Sequence, residues 1–177
     1  TFQNECAAIR IDDQLCKQGK GITLYSSFKQ NLKGDKIYTV FEDSEGDEWI
    51  LTNKGISIIG KKQVDSDFPF QYIKEADGII YLVSQSDKLA SYNFKTRQFK
   101  FIEIPYHVSM INEVKKFDSN TLLLATDNGL IIYKIKEKEF QLIDIRTSTQ
   151  PSNVVQSVYQ DHYKELWIFP QTTGVIR

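Results

Sequence analysis

The stretch Phe41–Ile59 reads FEDSEGDEWILTNKGISII, and it holds two tight reversals. Asp43-Ser44-Glu45-Gly46 has Asp first and Gly fourth, the chemistry of a type I turn. The carboxylate accepts from backbone N–H groups just downstream, and Gly gives the exit its backbone freedom. Thr52-Asn53-Lys54-Gly55 is the second reversal, with Asn and Gly able to take positive φ. Around the turns lie the short apolar runs IYTVF, WIL and ISII. Strand, turn, strand, turn, strand is an antiparallel meander.

These strands do not alternate cleanly. Tyr38 to Phe41 are consecutive strand formers, as are Trp49, Ile50 and Leu51. A sheet with one wet face alternates apolar and polar residues; a sheet apolar on both faces has to be covered on both. No helical period nearby supplies a cover, so other sheets are expected to supply it, and the unit should recur.

It does recur. Val158–Val175, VYQDHYKELWIFPQTTGV, repeats the Asp six residues before Trp: Asp43 with Trp49, Asp161 with Trp167. The turn Gly is replaced there by Lys164 or its neighbours. A weaker copy, Val114–Tyr133, has Leu123 in the Trp place and Gly129 six residues on. Another, Tyr72–Tyr92, has Tyr81 in that place. YNFKTRQFKFIEI (Tyr92–Ile104) and YKIKEKEFQLIDI (Tyr133–Ile145) align without a gap at an offset of 41. Each reads as a strand, a charged turn and an outer strand. The Trp-place positions 49, 81, 123 and 167 are 32, 42 and 44 apart. Four-stranded antiparallel units at that period are blades of a β-propeller.

The expected organisation of residues 1–177 is therefore all-β and made of propeller blades. Blades fall at 37–69, 70–109 and 110–153, a partial blade at 154–177, and the end of a preceding blade or an atypical one at 1–36. The chain reads as an incomplete part of a larger propeller, since a closed ring takes four to eight blades. In 1–36, AAIRI (Ala7–Ile11) and ITLYSSF (Ile22–Phe28) read as strands, with Asp12-Asp13 and Lys20-Gly21 as turn signals. Cys6 and Cys16 could bridge in an oxidising compartment. If Asp12-Asp13 were a two-residue hairpin turn, Cys16 would face Ile9 rather than Cys6, which argues against the bridge.

The Asp-turn-Trp stretch resembles the two-component regulator propeller repeat, in which a strand leads into D-x-x-G-x-x-W-x-x-T-x-x-G. Asp43, Gly46, Trp49, Thr52 and Gly55 match throughout; Asp161, Trp167, Thr173 and Gly174 match in part. The resemblance implies a periplasmic sensor region of a hybrid two-component system of gut Bacteroidetes-type bacteria. Such regions respond to glycan-derived oligosaccharides and signal to a kinase. It further implies a neighbouring propeller domain or a second subunit as partner, a homodimer in the intact protein, and a membrane anchor outside this segment.

The remaining readings are mostly exclusions. With 22 Lys and Arg spread along the chain against 23 Asp and Glu, no basic stripe marks a nucleic-acid face. No apolar run approaches the ~18 residues of a membrane span, and no signal peptide is legible. His107 and His162 lie in different repeats, without a nucleophile elbow or zinc spacing. Asp43, Glu45, Asp47 and Glu48 fail as a calcium loop, because the sixth and twelfth positions are Glu48 and Lys54. Trp49 and Trp167 could be sugar platforms, but recurrence with the repeat favours a wedge between blades. Thr52 reads as structural too. Phe68, Phe70 and Tyr106, beside prolines in the inter-blade links, are better placed for ligand contact, though core packing competes at each. No catalytic, cofactor-binding or metal-ligating residue is singled out, no cofactor is expected, and the ligand-binding residues stay unassigned. The expectation is a binding module and not an enzyme: a sensor first, a protein-interaction scaffold or a propeller lyase or glycosidase as alternatives.

Overall fold

The computed structural model describes the strand backbones of Ala7–Ile11 and Ile22–Ser26, and residues 32–177 apart from 61–65, 77, 85, 94–95, 97 and 173. Cys6, Cys16, Asp12, Asp13 and Thr173 lie outside the described residues. The chain divides into two compact units, Thr1–Gln71 and Tyr72–Arg177. Both are built from antiparallel strands, with no helix among the described residues.

In the first unit, β1 (Ala7–Ile11) pairs with β2 (Ile22–Ser26), closing at Ile11 opposite Ile22. The connection, 12–21, lies outside the described residues. The register sets Leu24 opposite Ile9, and not Cys16 as a two-residue turn at Asp12-Asp13 would have. β3 (Ile37–Glu42), β4 (Glu48–Thr52) and β5 (Gly55–Ile59) form a three-stranded meander. The fourth strand expected in this blade falls in a stretch that includes 61–65, outside the described residues.

In the second unit, β6 (Tyr72–Ala76), β7 (Ile79–Val83), β8 (Leu89–Asn93) and β9 (Gln98–Ile102) make one four-stranded sheet in sequence order. β10 (Ile111–Lys116), β11 (Thr121–Thr126), β12 (Gly129–Lys134) and β13 (Glu139–Ile143) make the next. β14 (Val155–Gln160) and β15 (Leu166–Pro170) follow, with Ile176 bridging back to Ile168. These are propeller blades. The outer strands are pinned alike, as the offset of 41 implies: Tyr92 pairs with Phe99 and Tyr133 with Phe140, ring centroids 4.9 and 4.4 Å apart.

The second unit shows why the strands are apolar on both sides. Along β11, TLLLAT, successive side chains point to opposite faces. Leu122 and Leu124 pack with Tyr81, Val83 and Leu89 of the preceding sheet. Leu123 and Ala125 pack with Val155, Val158 and Ile168 of the following one. The Trp place is thus a wedge against the next sheet: Leu123 takes it in one blade, and Tyr81 in another meets the Tyr133 ring edge-on at 6.2 Å.

The Asp–Trp pair supplies the turn. Both carboxylate oxygens of Asp43 are spent: Oδ1 accepts the Glu45 and Asp47 backbone N–H groups at 2.9 and 3.0 Å, and Oδ2 accepts the indole N–H of Trp49 at 2.8 Å. Asp161 repeats this with Tyr163 and Glu165 at 2.9 Å each, and with the Trp167 indole at 3.0 Å. The Asp161 carboxyl is held below its usual range, first by the indole N–H, then by these backbone donors and Arg177. Gly46 sits at φ +84°, and Lys164, in the same place, at φ +65°. Trp49 is fully buried and Trp167 half-buried.

Trp49→Ala should cost about 3–5 kcal/mol of stability, as for other buried aromatic truncations. Asp43→Ala strands three donors for the loss of one side chain and should cost about 2 kcal/mol. Denaturant midpoints of both variants and the parent read this. A loss below about 1 kcal/mol for either would show that the pair does not hold the sheet.

Candidate functional site

Antiparallel alternation sorts the turns onto two edges of each sheet. The Asp–Trp turns lie at one edge. The Thr-x-x-Gly turns lie at the other, together with the links from one sheet to the next. At this second edge, Thr126 Oγ1 donates to Gly129 O at 2.7 Å and accepts the Asn128 N–H at 3.1 Å. Thr52 makes the same two bonds with Gly55 O and Lys54 N, at 2.9 and 3.2 Å. The glycine is where the turn touches the link: Gly129 N donates to Asn153 O, and Ile56 N, next to Gly55, donates to Ser66 O. A Cβ on Gly55 would meet Ser66 O at 2.0 Å, and its φ of +127° is a conformation other residues avoid. The counterpart of Thr52 near the C-terminus is Pro170, opposite Val155 as Thr52 is opposite Ile37, and not Thr173. All five matched motif residues, Asp43, Gly46, Trp49, Thr52 and Gly55, are thus occupied in holding the sheet.

The other residues singled out in the sequence are also engaged. Phe70 is fully buried, with the Phe68 ring 4.7 Å from its own. Tyr106 is half-buried against the core of the second unit, and its hydroxyl donates to Phe140 O at 3.0 Å. Exposed His107 accepts the Asn128 side-chain N–H on its carbonyl. His162 lies 3.7 Å from the Tyr163 ring, on the Asp–Trp turn.

What the sequence reading missed is a cleft at the Thr–Gly edge of the second unit. It has a volume of ≈ 560 Å³ and lies between the link that leaves β13 and the segment that leaves β15. Ile143, Ile145, Ile168, Pro170, Val175 and Ile176 give it an aliphatic lining. Asp144, Arg146, Thr147, Thr149 and Gln150 supply its polar groups. The size and the mix suit a small ligand.

Each wall has a local cause. The link folds back because Thr147 N donates to Gln150 O at 2.8 Å and Thr147 Oγ1 accepts the Gln150 N–H at 3.0 Å. Gln150 also ties the two walls, accepting the Thr172 hydroxyl. Beneath the lining, Asn153 Oδ1 accepts the Ile145 N–H at 2.9 Å. Arg146 and Asp144 form a closed pair: Nε lies 2.9 and 3.0 Å from the two carboxylate oxygens, and Nη2 donates to Oδ2. This guanidinium, with the Arg146 backbone N–H at 2.9 Å, holds the Asp144 carboxyl down at about 2. Among the described residues matched to the motif, Gly174 of the degenerate copy alone lines the cleft. Its only sequence signal is indirect: Arg, Thr and Gln gathered in an inter-blade link.

No protein-family profile matches the chain, and no curated protein sequence does. Solved structures do share its fold. The extracellular domain of the hybrid two-component system BT3049 of B. thetaiotaomicron superposes with a TM-score of 0.70 at 21% identity, covering 96% of this chain and 24% of that one. The extracellular domain of BT4673 from the same organism gives 0.67 at 20%, covering 89% and 23%. Virginiamycin B lyase from Staphylococcus aureus, solved with quinupristin, gives 0.65 at 15%, covering 99% and 70%. The chain spans about a quarter of the length of these two extracellular domains.

A carboxyl titration followed by NMR should place Asp144 near 2. Arg146→Ala should return it toward its ordinary value of 3.8. The sign follows from linkage. A depressed folded-state value adds stability above the unfolded value, and that stability is lost as pH falls from 3.8 through about 2. Because the pair is exposed, the loss should be small. An Asp144 midpoint that Arg146→Ala leaves in place would show that the pair is not formed. The fold that carries this cleft is the β-propeller, the fold shared with extracellular domains of B. thetaiotaomicron two-component systems.

Proposed function

We propose that the chain is part of the ligand-sensing, extracytoplasmic propeller of a hybrid two-component regulator. In this reading it lies in the periplasm, binds oligosaccharides derived from glycans, and passes the signal to a kinase outside residues 1–177. The observation that carries it is the cleft: a concave, partly apolar site whose two walls come from successive sheets. A ligand there touches both walls at once, and a sensor needs a ligand whose affinity depends on how two elements are set. The fold shared with extracellular domains of two-component systems supports the same reading.

The lyase that shares the fold is the one observation favouring an enzyme. Acid–base chemistry wants a group poised near the working pH. The carboxylate in the cleft, Asp144, is held far below neutrality in a closed pair with Arg146. That chemistry suits recognition better than proton transfer.

Thermal melting of the chain with a panel of oligosaccharides tests the proposal. A ligand at about a hundred times its Kd stabilises by ~2.7 kcal/mol, which should raise Tm by about 5–10 °C for a chain of this size. At least one panel member should do this and be recovered unchanged. Consumption of the ligand would favour the enzyme, and a panel without any shift would overturn the sensor reading.

A further inference from the structure

We infer that the cleft lined by residues of 143–150 and by Ile168, Pro170, Gly174, Val175 and Ile176 takes an uncharged, polyhydroxylated ligand, a short neutral oligosaccharide, and discriminates against acidic ones. The inference rests on the sensor reading and names the ligand class of its site.

The argument begins with charge. Among the described residues lining the cleft, only Asp144 and Arg146 are charged. They neutralise each other through both carboxylate oxygens. A uronate or sulfate entering here gains no net positive field. It must compete with Asp144 for the guanidinium while facing that carboxylate, a like charge that opposes it. A cationic ligand fares no better, since both Asp144 oxygens are already occupied.

A hydroxyl meets no such conflict. Arg146 binds Asp144 through Nε and Nη2, so Nη1 stays turned away from the carboxylate with its donors available. The Thr147 and Thr149 hydroxyls, 3.3 Å apart, can each donate and accept. So can a sugar hydroxyl, and the two sets can exchange bonds with each other or through water at little cost. Gln150 is instead a wall element, its Oε1 accepting the Thr172 hydroxyl and its Nε2 donating to Ser152 O at 3.1 Å.

The lining completes the match. Ile145, Ile168 and Val175 form an aliphatic surface beside these polar groups. A pyranose has the same division, with C–H groups on its ring faces and hydroxyls around its rim. A compact apolar ligand would leave the polar groups unmet, and a fully polar one would waste the apolar lining. The ≈ 560 Å³ volume falls within the range of small-ligand sites.

Calorimetric titration of the full chain with neutral trisaccharides of gluco, manno and galacto configuration, and with trigalacturonate, tests the inference. At least one neutral trisaccharide should bind, with affinity insensitive to salt, and trigalacturonate should bind at least about tenfold more weakly. Asp144→Asn leaves Arg146 without its counter-charge. It should raise trigalacturonate affinity by about tenfold, in a salt-sensitive way, because a bond to an unshielded charged donor is the stronger kind. A merely structural role for the pair would not produce that gain. Val175→Asp, at a half-exposed position where folding is not at risk, should weaken neutral binding by about tenfold. Preference of the parent chain for trigalacturonate would overturn the neutral assignment and leave the sensor reading standing. Neutral binding that Val175→Asp does not weaken, with no gain in trigalacturonate affinity from Asp144→Asn, would place the ligand elsewhere, overturning the cleft assignment alone. Absence of binding by any oligosaccharide would overturn this inference and the sensor reading together.

Discussion

A sheet that is apolar on both faces has to be covered on both faces, and the rest of the second unit follows from that. Leaving one face of β11 in water would cost roughly 25 cal/mol for each Å² of apolar surface. Leu122 and Leu124 escape this cost against the preceding sheet, and Leu123 and Ala125 against the following one. Faces used for covering cannot also carry polar devices. Turns, links and anything that meets a ligand are therefore confined to the sheet edges. Asp43 and Thr52 show how the repeat manages an edge: one short side chain gathers several backbone groups of a turn and releases the strands to pack.

The blade pattern was legible because it rests on local chemistry. Asp–x–x–Gly favours a type I turn through its own side chain and backbone, and apolar runs without alternation demand two covers. The bond from the Trp49 indole to Asp43 was not legible, although the six-residue spacing was. Spacing shows that two residues travel together, not that one donates to the other. The reading of Thr173 as a counterpart of Thr52 failed for a related reason. Matching residue type pulled the alignment three residues past Pro170, the residue whose cross-strand partner defines the place. The cleft was the least legible feature. Its walls come from a link and a turn exit some 25 residues apart, and its polar residues Arg146, Thr147, Thr149 and Gln150 lie past the stretch that repeats.

That division has a functional meaning. Residues that recur with the repeat are those every blade needs, so they are poor candidates for a ligand that binds once. Trp49 illustrates the point: it is aromatic, it would suit a sugar ring, and it is fully buried. Arg146, Thr147 and Gln150 serve no blade-wide purpose and are free to be specific. A repeat fold of this kind can change what it binds by changing its links, without touching the Asp–Trp or Thr–Gly devices.

The same links set a limit on any signal. Ile145, in the lining of the cleft, donates to Asn153, which donates through its side chain to Asn128 at 3.0 Å. Asn128 in turn donates to the carbonyl of His107, on the link before β10. One hydrogen-bonded series thus connects two successive inter-blade links. A hydrogen bond of this kind contributes about 0.5–1.5 kcal/mol net. A ligand that broke one by displacing Ile145 would surrender up to about tenfold in affinity. A ligand that bound only when the series was intact would favour that arrangement by the same factor. The cleft can therefore bias the setting of the links by no more than the difference these few bonds make. A larger response requires several such sites, or a second bistable element that adds its own difference.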